Sequence, residues 1–296
     1  MMGTKARFGI CAAAASLAVA AVAGCSGSGS GGGAATGLGS GTGGGNSAVL
    51  SLVADAMNKA NSAGTVKITG TVTEPGSSTA VTMTAQEQYS PAVEMSMTMQ
   101  VNGQTLSEVL VGSSVYLNYP QLASLLGGKQ WGEIDMSESD GALGSLSSLV
   151  DSAKNYNPTT QLEALVASGA VKLIGTHLVG DQMTMHYEGV LNAPQLLHES
   201  SAQGLTASQY SALVGVWKAA GITSENVDLY IGDDGLPAWV KFVISTASSQ
   251  TTTNMFLSDW GKPVQIGAPP AASVYDMTKE LNSAVASASV TASPSG

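Results

Sequence analysis

The chain has 296 residues, of which 44% are hydrophobic and only 11% are charged, so it is not a disordered polar chain. Its formal net charge is −10, which makes nucleic acid an unfavourable partner because phosphates repel an acidic protein. The same charge gives no electrostatic attraction to an anionic membrane surface.

Residues 1–24 have the organisation of a secretory signal peptide. Lys5 and Arg7 precede an apolar stretch, residues 8–23, that ends in small side chains. A membrane-spanning helix needs about 20 apolar residues, so this stretch is short for an anchor, and an uncleaved anchor helix is the less favoured alternative. We predict that the segment is removed on export.

The residues before Cys25 resemble a bacterial lipobox, in which an aliphatic and two small residues, here Val22, Ala23 and Gly24, precede an invariant cysteine. The resemblance implies cleavage before Cys25 and a diacylglycerol thioether on its sulfur. Two acyl chains anchor stably, since each buried CH₂ contributes about 0.8 kcal/mol. We therefore predict a lipoprotein at the extracytoplasmic face of the cell membrane, with a secreted protein carrying a free thiol as the alternative. Cys11 leaves with the signal, so the mature chain has no second cysteine for a disulfide.

Residues 25–46 join this cysteine to the rest of the chain and consist almost entirely of small residues, mainly Gly and Ser. Such segments behave as random coils, and this one has a typical reach of roughly 25 Å. No strand precedes the glycines and no Gly-Lys-Ser/Thr follows them, so they form a tether rather than a phosphate-binding loop. We predict one domain over residues 47–278 and a flexible tail over residues 279–296.

The domain opens with a helix and a strand meander. Apolar residues recur at helical spacing over Ala48–Asn61, with Ser47 as the N-cap and Gly64 at the end. Period-two alternation then predicts strands separated by turn signals such as Asn102-Gly103. These strands cover residues 66–72, 81–86 and 93–101, with two short strands within 109–119. One face of this antiparallel meander is apolar and the other is polar.

The later segments alternate between helical and strand patterns. Helical spacing covers residues 120–126, 141–155, 158–168 and 206–220. Hairpins are predicted over residues 171–191 and 227–248, and a last strand over residues 255–257. Together these elements predict an α+β fold, with helices packed on the apolar face of one long twisted antiparallel sheet.

Three stretches resemble the actinobacterial LppX/LprG-type lipoproteins, which are similar in fold to the periplasmic carrier LolA. They are DQMTMHYEGVLN (Asp181–Asn192), VDLYIGDDGLPAWVKF (Val227–Phe242) and KQWGEID (Lys129–Asp135), the last resembling the family's turn after its first meander. The resemblance, which covers residues 48–276, implies a half-barrel: a long curved antiparallel sheet with helices packed on its concave apolar face. It also implies a hydrophobic cavity that takes acyl chains. The long Gly- and Ser-rich middle departs from the family pattern and leaves the cavity's size and entrance open.

A stripe of methionines marks the candidate lining of that cavity. The chain has twelve methionines against three phenylalanines, and methionine adapts to irregular partners. Inward positions of two neighbouring strands carry Met83, Val93, Met95, Met97, Met99 and Val101. We predict that these residues contact an acylated lipid or glycolipid, with an ordinary core between sheet and helices as the alternative.

The chain offers little for catalysis. His177 and His186 lie on adjacent predicted strands and are able to face each other, but a metal site needs further ligands, and His198 stands alone. The turn at residues 233–235 lacks the acidic pattern of a calcium loop and is explained by a tight hairpin. No nucleophile motif is found. We predict no enzymatic activity, no metal and no cofactor.

Two functions remain open. The first is a monomeric lipid carrier with a hydrophobic cavity. The second is a cell-surface interaction module of the same fold with a filled core. It would bind its partner through an exposed face around one of the tryptophans, Trp131, Trp217, Trp239 or Trp260. A solute-binding protein of a transporter is less favoured, because the strand–helix alternation of two α/β lobes is missing.

Overall fold

The computed structural model describes residues 44–74, 80–138, 171–192, 214, 217–218 and 220–282. In this part of the chain a helix, α1 (Gly44–Ala63), packs on a single sheet. None of the helices in these ranges is long and apolar enough to cross a bilayer.

The sheet is built from twelve strands in the described ranges. They are β1 (Thr65–Thr73), β2 (Val81–Gln88), β3 (Glu94–Val101), β4 (Gln104–Val111), β5 (Ser114–Asn118), β6 (Trp131–Asp135), β7 (Lys172–Val179), β8 (Gln182–Asn192), β9 (Ile222–Gly232), β10 (Pro237–Thr246), β11 (Gln250–Ser258) and β12 (Val274–Asp276).

The strand order shows two meanders joined at the centre of the sheet. It runs β12-β6-β5-β4-β3-β2-β1-β11-β10-β9-β8-β7. Every neighbouring pair is antiparallel except β12 and β6, which are parallel. The sheet does not close, since β7 and β12 remain at its two edges. The fold is therefore the expected α+β half-barrel, a long curved antiparallel sheet.

Helix α1 forms as expected but starts earlier. Its buried side chains Val53, Ala56, Met57 and Ala60 recur at helical spacing. It ends before Gly64, whose φ of +77° suits a residue without a Cβ. Ser47 is not the N-cap, because residues 44–46 continue the helix on its N-terminal side.

The hydrophobic core lies between α1 and the inner face of the sheet. Both meanders contribute to one cluster of buried side chains, which joins α1 to Val66, Ile68, Met83, Ala85, Tyr89, Met95, Met97, Val171, Tyr187, Leu191, Trp217, Val227, Leu229, Ile231, Val240, Phe242, Met255 and Leu257. Complete burial of one large apolar side chain stabilises a fold by about 1.5–3 kcal/mol.

The segment after β5 differs from the sequence prediction. The predicted helix over residues 120–126 is reduced to a 3-10 turn at Pro120–Leu122 followed by further turns, and Leu125 is 60% exposed. So short a segment gains too few hydrogen bonds to form a stable α-helix. Residues 131–135 form strand β6 rather than a turn. The predicted helices over residues 141–155 and 158–168 lie outside the described residues.

The C-terminal part holds two further differences. Strand β12 is absent from the sequence prediction, because three residues carry no readable alternation. Residues 278–282 are helical, and Leu281 packs against the buried pair Ile134 and Met136. Of the predicted helix over residues 206–220, only residues 214, 217, 218 and 220 are described, and they are helical.

Candidate functional site

The methionine stripe lies on the inner face of β2 and β3. Met83, Met95 and Met97 are buried, and Met99 packs against the same core cluster. Cross-strand register pairs Met83 with Met99, and their neighbours Met95 and Met97 follow at every second position, so all four side chains share one face. The structure therefore brings the four predicted methionines together.

The two predicted valines sit at the ends of the same strand. Val93 precedes β3 and Val101 is its last residue, beside the turn at Asn102 and Gly103. Both are half-buried, and neither is part of the buried core cluster described above. They therefore mark the rims of the methionine stripe and not its centre.

Three buried glutamates lie on the same inner face, and the sequence analysis missed them. Glu87 is 1% exposed and stands opposite Met95, while Glu108 is 3% exposed and stands opposite Met97. Glu225 is 1% exposed and lies two residues before the core residue Val227. The signal was present in the period-two pattern, since each glutamate continues a row of inward positions.

Burial controls the charge of two of these carboxyls. Loss of water around Glu87 raises its pKa from 4.5 to about 8, although a hydrogen bond from the Tyr89 hydroxyl acts to lower it. Burial likewise raises the pKa of Glu225 from 4.5 to about 8. Both groups are therefore largely protonated at neutral pH, which keeps these positions of the inner face uncharged.

The outer face carries an aromatic ladder, defined as His177, His186, Tyr230, Trp239 and Phe256, on five neighbouring strands. The ring centroids of His186 and Tyr230 are 4.2 Å apart and those of Tyr230 and Trp239 are 4.4 Å apart, in stacked geometry. Trp239 also stacks on Phe256 at 5.5 Å. Cross-strand aromatic pairs of this kind stabilise a sheet by about 0.2–1 kcal/mol each. We therefore read the ladder as a stabiliser of this part of the sheet.

The two histidines approach each other, as predicted. Their ring centroids are 6.4 Å apart. The Nε2 atom of His186 lies 2.8 Å from Oδ1 of Asp228, whose other oxygen is 3.3 Å from the Lys241 ammonium. In the described ranges no group of three or more histidine, cysteine, aspartate or glutamate side chains is arranged to hold a metal ion.

The tryptophans do not form one exposed surface. Trp217 is 2% exposed and belongs to the core cluster, together with buried side chains of the sheet. Trp131, Trp239 and Trp260 are half-buried, and the Trp260 indole donates a 2.9 Å hydrogen bond to the Pro237 carbonyl. Of the four alternatives for an exposed binding face, Trp217 is therefore ruled out by its burial.

The turn at residues 233–235 is the expected tight hairpin. The Leu236 backbone N–H donates to Oδ1 of Asp234 at 2.9 Å, and Gly235 has a φ of +72°. Lys59 of α1 donates a hydrogen bond to the backbone carbonyl of Asp234. The turn thus connects β9 and β10 and also contacts the helix that covers the core.

Comparisons with known proteins found one similar sequence and several similar structures. No family model matches the chain. An uncharacterised 31.2 kDa protein of Streptomyces griseus is 27% identical over 251 residues, which is 78% of this chain and 80% of that protein. Among solved structures, the lipoprotein LppX of Mycobacterium tuberculosis matches at 14% identity and a TM-score of 0.49, covering 75% of this chain and 99% of LppX. LprF of Mycobacterium bovis matches at 15% identity and a TM-score of 0.42, covering 76% of this chain and 98% of LprF.

Proposed function

We propose that this protein is a lipoprotein, anchored through Cys25, that binds the acyl chains of a lipid between the inner face of its sheet and its helices. The observation that carries the proposal is the row of four methionines on neighbouring strands. Met83, Met95, Met97 and Met99 give one continuous, unbranched and polarizable surface on the side covered by α1.

The energetics of such binding are simple. Each CH₂ that leaves water for an apolar site contributes about 0.8 kcal/mol. Methionine side chains adopt new rotamers at low cost, so the surface is able to adjust to chains of different shape. No cofactor or permanent charge is needed for this step.

Replacing Met97 by tryptophan tests the binding surface. Met97 is at the centre of the stripe and 2% exposed, so the indole would occupy the volume that an acyl chain needs. We expect the amount of co-purifying lipid, measured by native mass spectrometry of the exported Cys25→Ser chain, to fall at least tenfold. Overpacking costs about 1–3 kcal/mol, so the domain stays folded.

Met97→Leu is the matched control, because it nearly conserves volume and should leave the lipid content within about twofold of the parent. Equal lipid content in the tryptophan and leucine variants would contradict the assignment of the stripe.

Replacing Cys25 by serine tests the anchor. We expect the protein to move from the membrane fraction to the medium and to lose incorporation of labelled palmitate, since no thioether can form. Cys11→Ser is the control, because Cys11 lies inside the predicted signal peptide and its loss leaves the attachment point intact. Membrane retention of the Cys25→Ser protein would show that another segment is the anchor.

The interaction module with a filled core remains the second candidate. It is favoured by the nearly complete burial of Met83, Met95 and Met97, which is also typical of an ordinary core. Native mass spectrometry separates the two functions. A mass without adducts, and without uptake of added lipids, favours the module.

A further inference from the structure

The inner face carries a polar group that an acyl-chain site does not require. Glu87 stands in register between Val66 on β1 and Met95 on β3, and both neighbours are buried. A carboxyl group in such surroundings loses its hydration and needs hydrogen bonds in exchange. Lipid chains alone would be held better by an apolar residue at this position.

The described residues give Glu87 few hydrogen bonds in place of its lost hydration. The Tyr89 hydroxyl donates to Oε2 of Glu87 at 3.3 Å, which is long for a bond between two oxygens. A protonated carboxyl donates one hydrogen bond and accepts others. One long bond from Tyr89 leaves most of this capacity unused by the described residues.

A second buried polar group in the same cluster points the same way. Trp217 is 2% exposed and packs in one core cluster with Tyr89 and Met95. In the part of the chain that the structure describes, its indole N–H has no hydrogen-bond partner. Leaving such a donor unpaired costs about 1–3 kcal/mol. The inner layer thus holds a carboxyl and an indole donor that would both gain from a polar atom placed among apolar groups.

We propose that the lipid ligand carries hydroxyl groups on or next to its acyl chain, and that Glu87 hydrogen-bonds one of these hydroxyls. This inference rests on the proposed function and specifies the class of lipid. A hydroxyl donates and accepts one bond each way, which matches a protonated carboxyl. An ammonium group would have to give up its hydration in an apolar layer, and a carboxylate or phosphate would face the same cost without a cation beside Glu87.

The test compares two neutral probes with the same acyl chain. Monostearoylglycerol has two free hydroxyls, and methyl stearate has none. The dissociation constants of both probes are measured on the full Cys25→Ser chain and on the same chain with Glu87→Met. For each probe, the constant of the Glu87→Met chain is divided by that of the parent chain. Comparing these two factors cancels the different solubilities of the probes. We expect Glu87→Met to weaken monostearoylglycerol about tenfold relative to methyl stearate, the effect of one lost buried hydrogen bond.

Two controls distinguish this effect from loss of packing. Glu87→Gln keeps a donor and an acceptor in the same place and should retain the preference within about threefold. Met95→Leu changes the side chain opposite Glu87, and it should change the dissociation constants of both probes by the same small factor. If both probes bind and Glu87→Met changes their dissociation constants by the same factor, the hydroxyl assignment is wrong, but the proposal of lipid binding stands. If neither probe binds any variant, the proposed function itself is overturned, and this inference with it.

Discussion

Raising the pH from 5 to 8 is expected to lower the free energy of unfolding by at least about 3 kcal/mol. The pKa values of Glu87 and Glu225 are about 8 in the folded protein against 4.5 for an unperturbed glutamate. Between these values the folded state holds protons that the unfolded state has released, so stability falls as pH rises. The contribution of each group is complete below pH 4.5 and is lost as the pH passes through about 8.

The carboxyls with lowered pKa values act in a different range. Hydrogen bonds from Lys262 and Lys67 lower the pKa of Asp259 to about 2, and bonds from Ser137 lower that of Asp135. Their contributions are lost only as the pH falls through their folded pKa values. These two aspartates therefore do not contribute to the slope between pH 5 and 8.

Urea unfolding followed by circular dichroism at several pH values measures this slope. Glu87→Gln replaces the titrating group by a neutral one of similar shape and should remove about half of the slope. Glu74→Gln, at an exposed position, should leave it unchanged. A stability that is constant or rising from pH 5 to 8 would show that these carboxyls are not buried in the folded protein.

Gly70→Ala is expected to destabilise the domain by about 3 kcal/mol. A Cβ at this position would lie 2.5 Å from the backbone carbonyl oxygen of Asn254 and 3.2 Å from Cγ of Met83. The Met83 side chain is able to move, but the Asn254 carbonyl belongs to β11. Relief of this clash requires β1 and β11 to separate, at the junction of the two meanders.

Gly267→Ala is the matched control for this substitution. A Cβ at Gly267 would meet no atom within 4 Å, so alanine should be neutral or slightly stabilising there. The midpoints of thermal unfolding for the two variants give the comparison. Equal midpoints would mean that the central junction is looser than the structure shows.

Periodicity predicted the hairpins because their sequences alternate strictly over several residues. Helix α1 was predicted for a similar reason, since Val53, Met57 and their neighbours recur at the helical period. The order of the strands was not predictable in this way. Pairing of β1 with β11 depends on contacts between residues such as Lys67 and Ser258, which are 191 positions apart, and no local pattern encodes them.

Within the candidate site, too, local periodicity predicted some features and left others out. Alternation placed Met95, Met97 and Met99 on one face, as the structure has them. In the structure the same alternation extends to Glu87 and Glu108. The predicted strands stopped at residue 86 and began at residue 109, because a charged residue at an inward position looks like the end of a strand until its burial is known. The burial of Trp217 depends on how its helix packs on the sheet, which the sequence pattern leaves open.

The central position of β1 has a consequence for the order of folding. When the chain emerges from its N-terminus, β1 is able to pair with β2 as soon as β2 has emerged. The other edge of β1 stays unpaired until β11 has emerged, and β11 ends at Ser258. One edge of β6 likewise stays unpaired until β12 has emerged. Contacts of such long sequence separation form slowly, and an unpaired strand edge invites association with other chains. Release of the chain before residue 258 has emerged would therefore leave one edge of β1 and one edge of β6 unpaired and open to aggregation, so correct folding depends on completing nearly the whole chain.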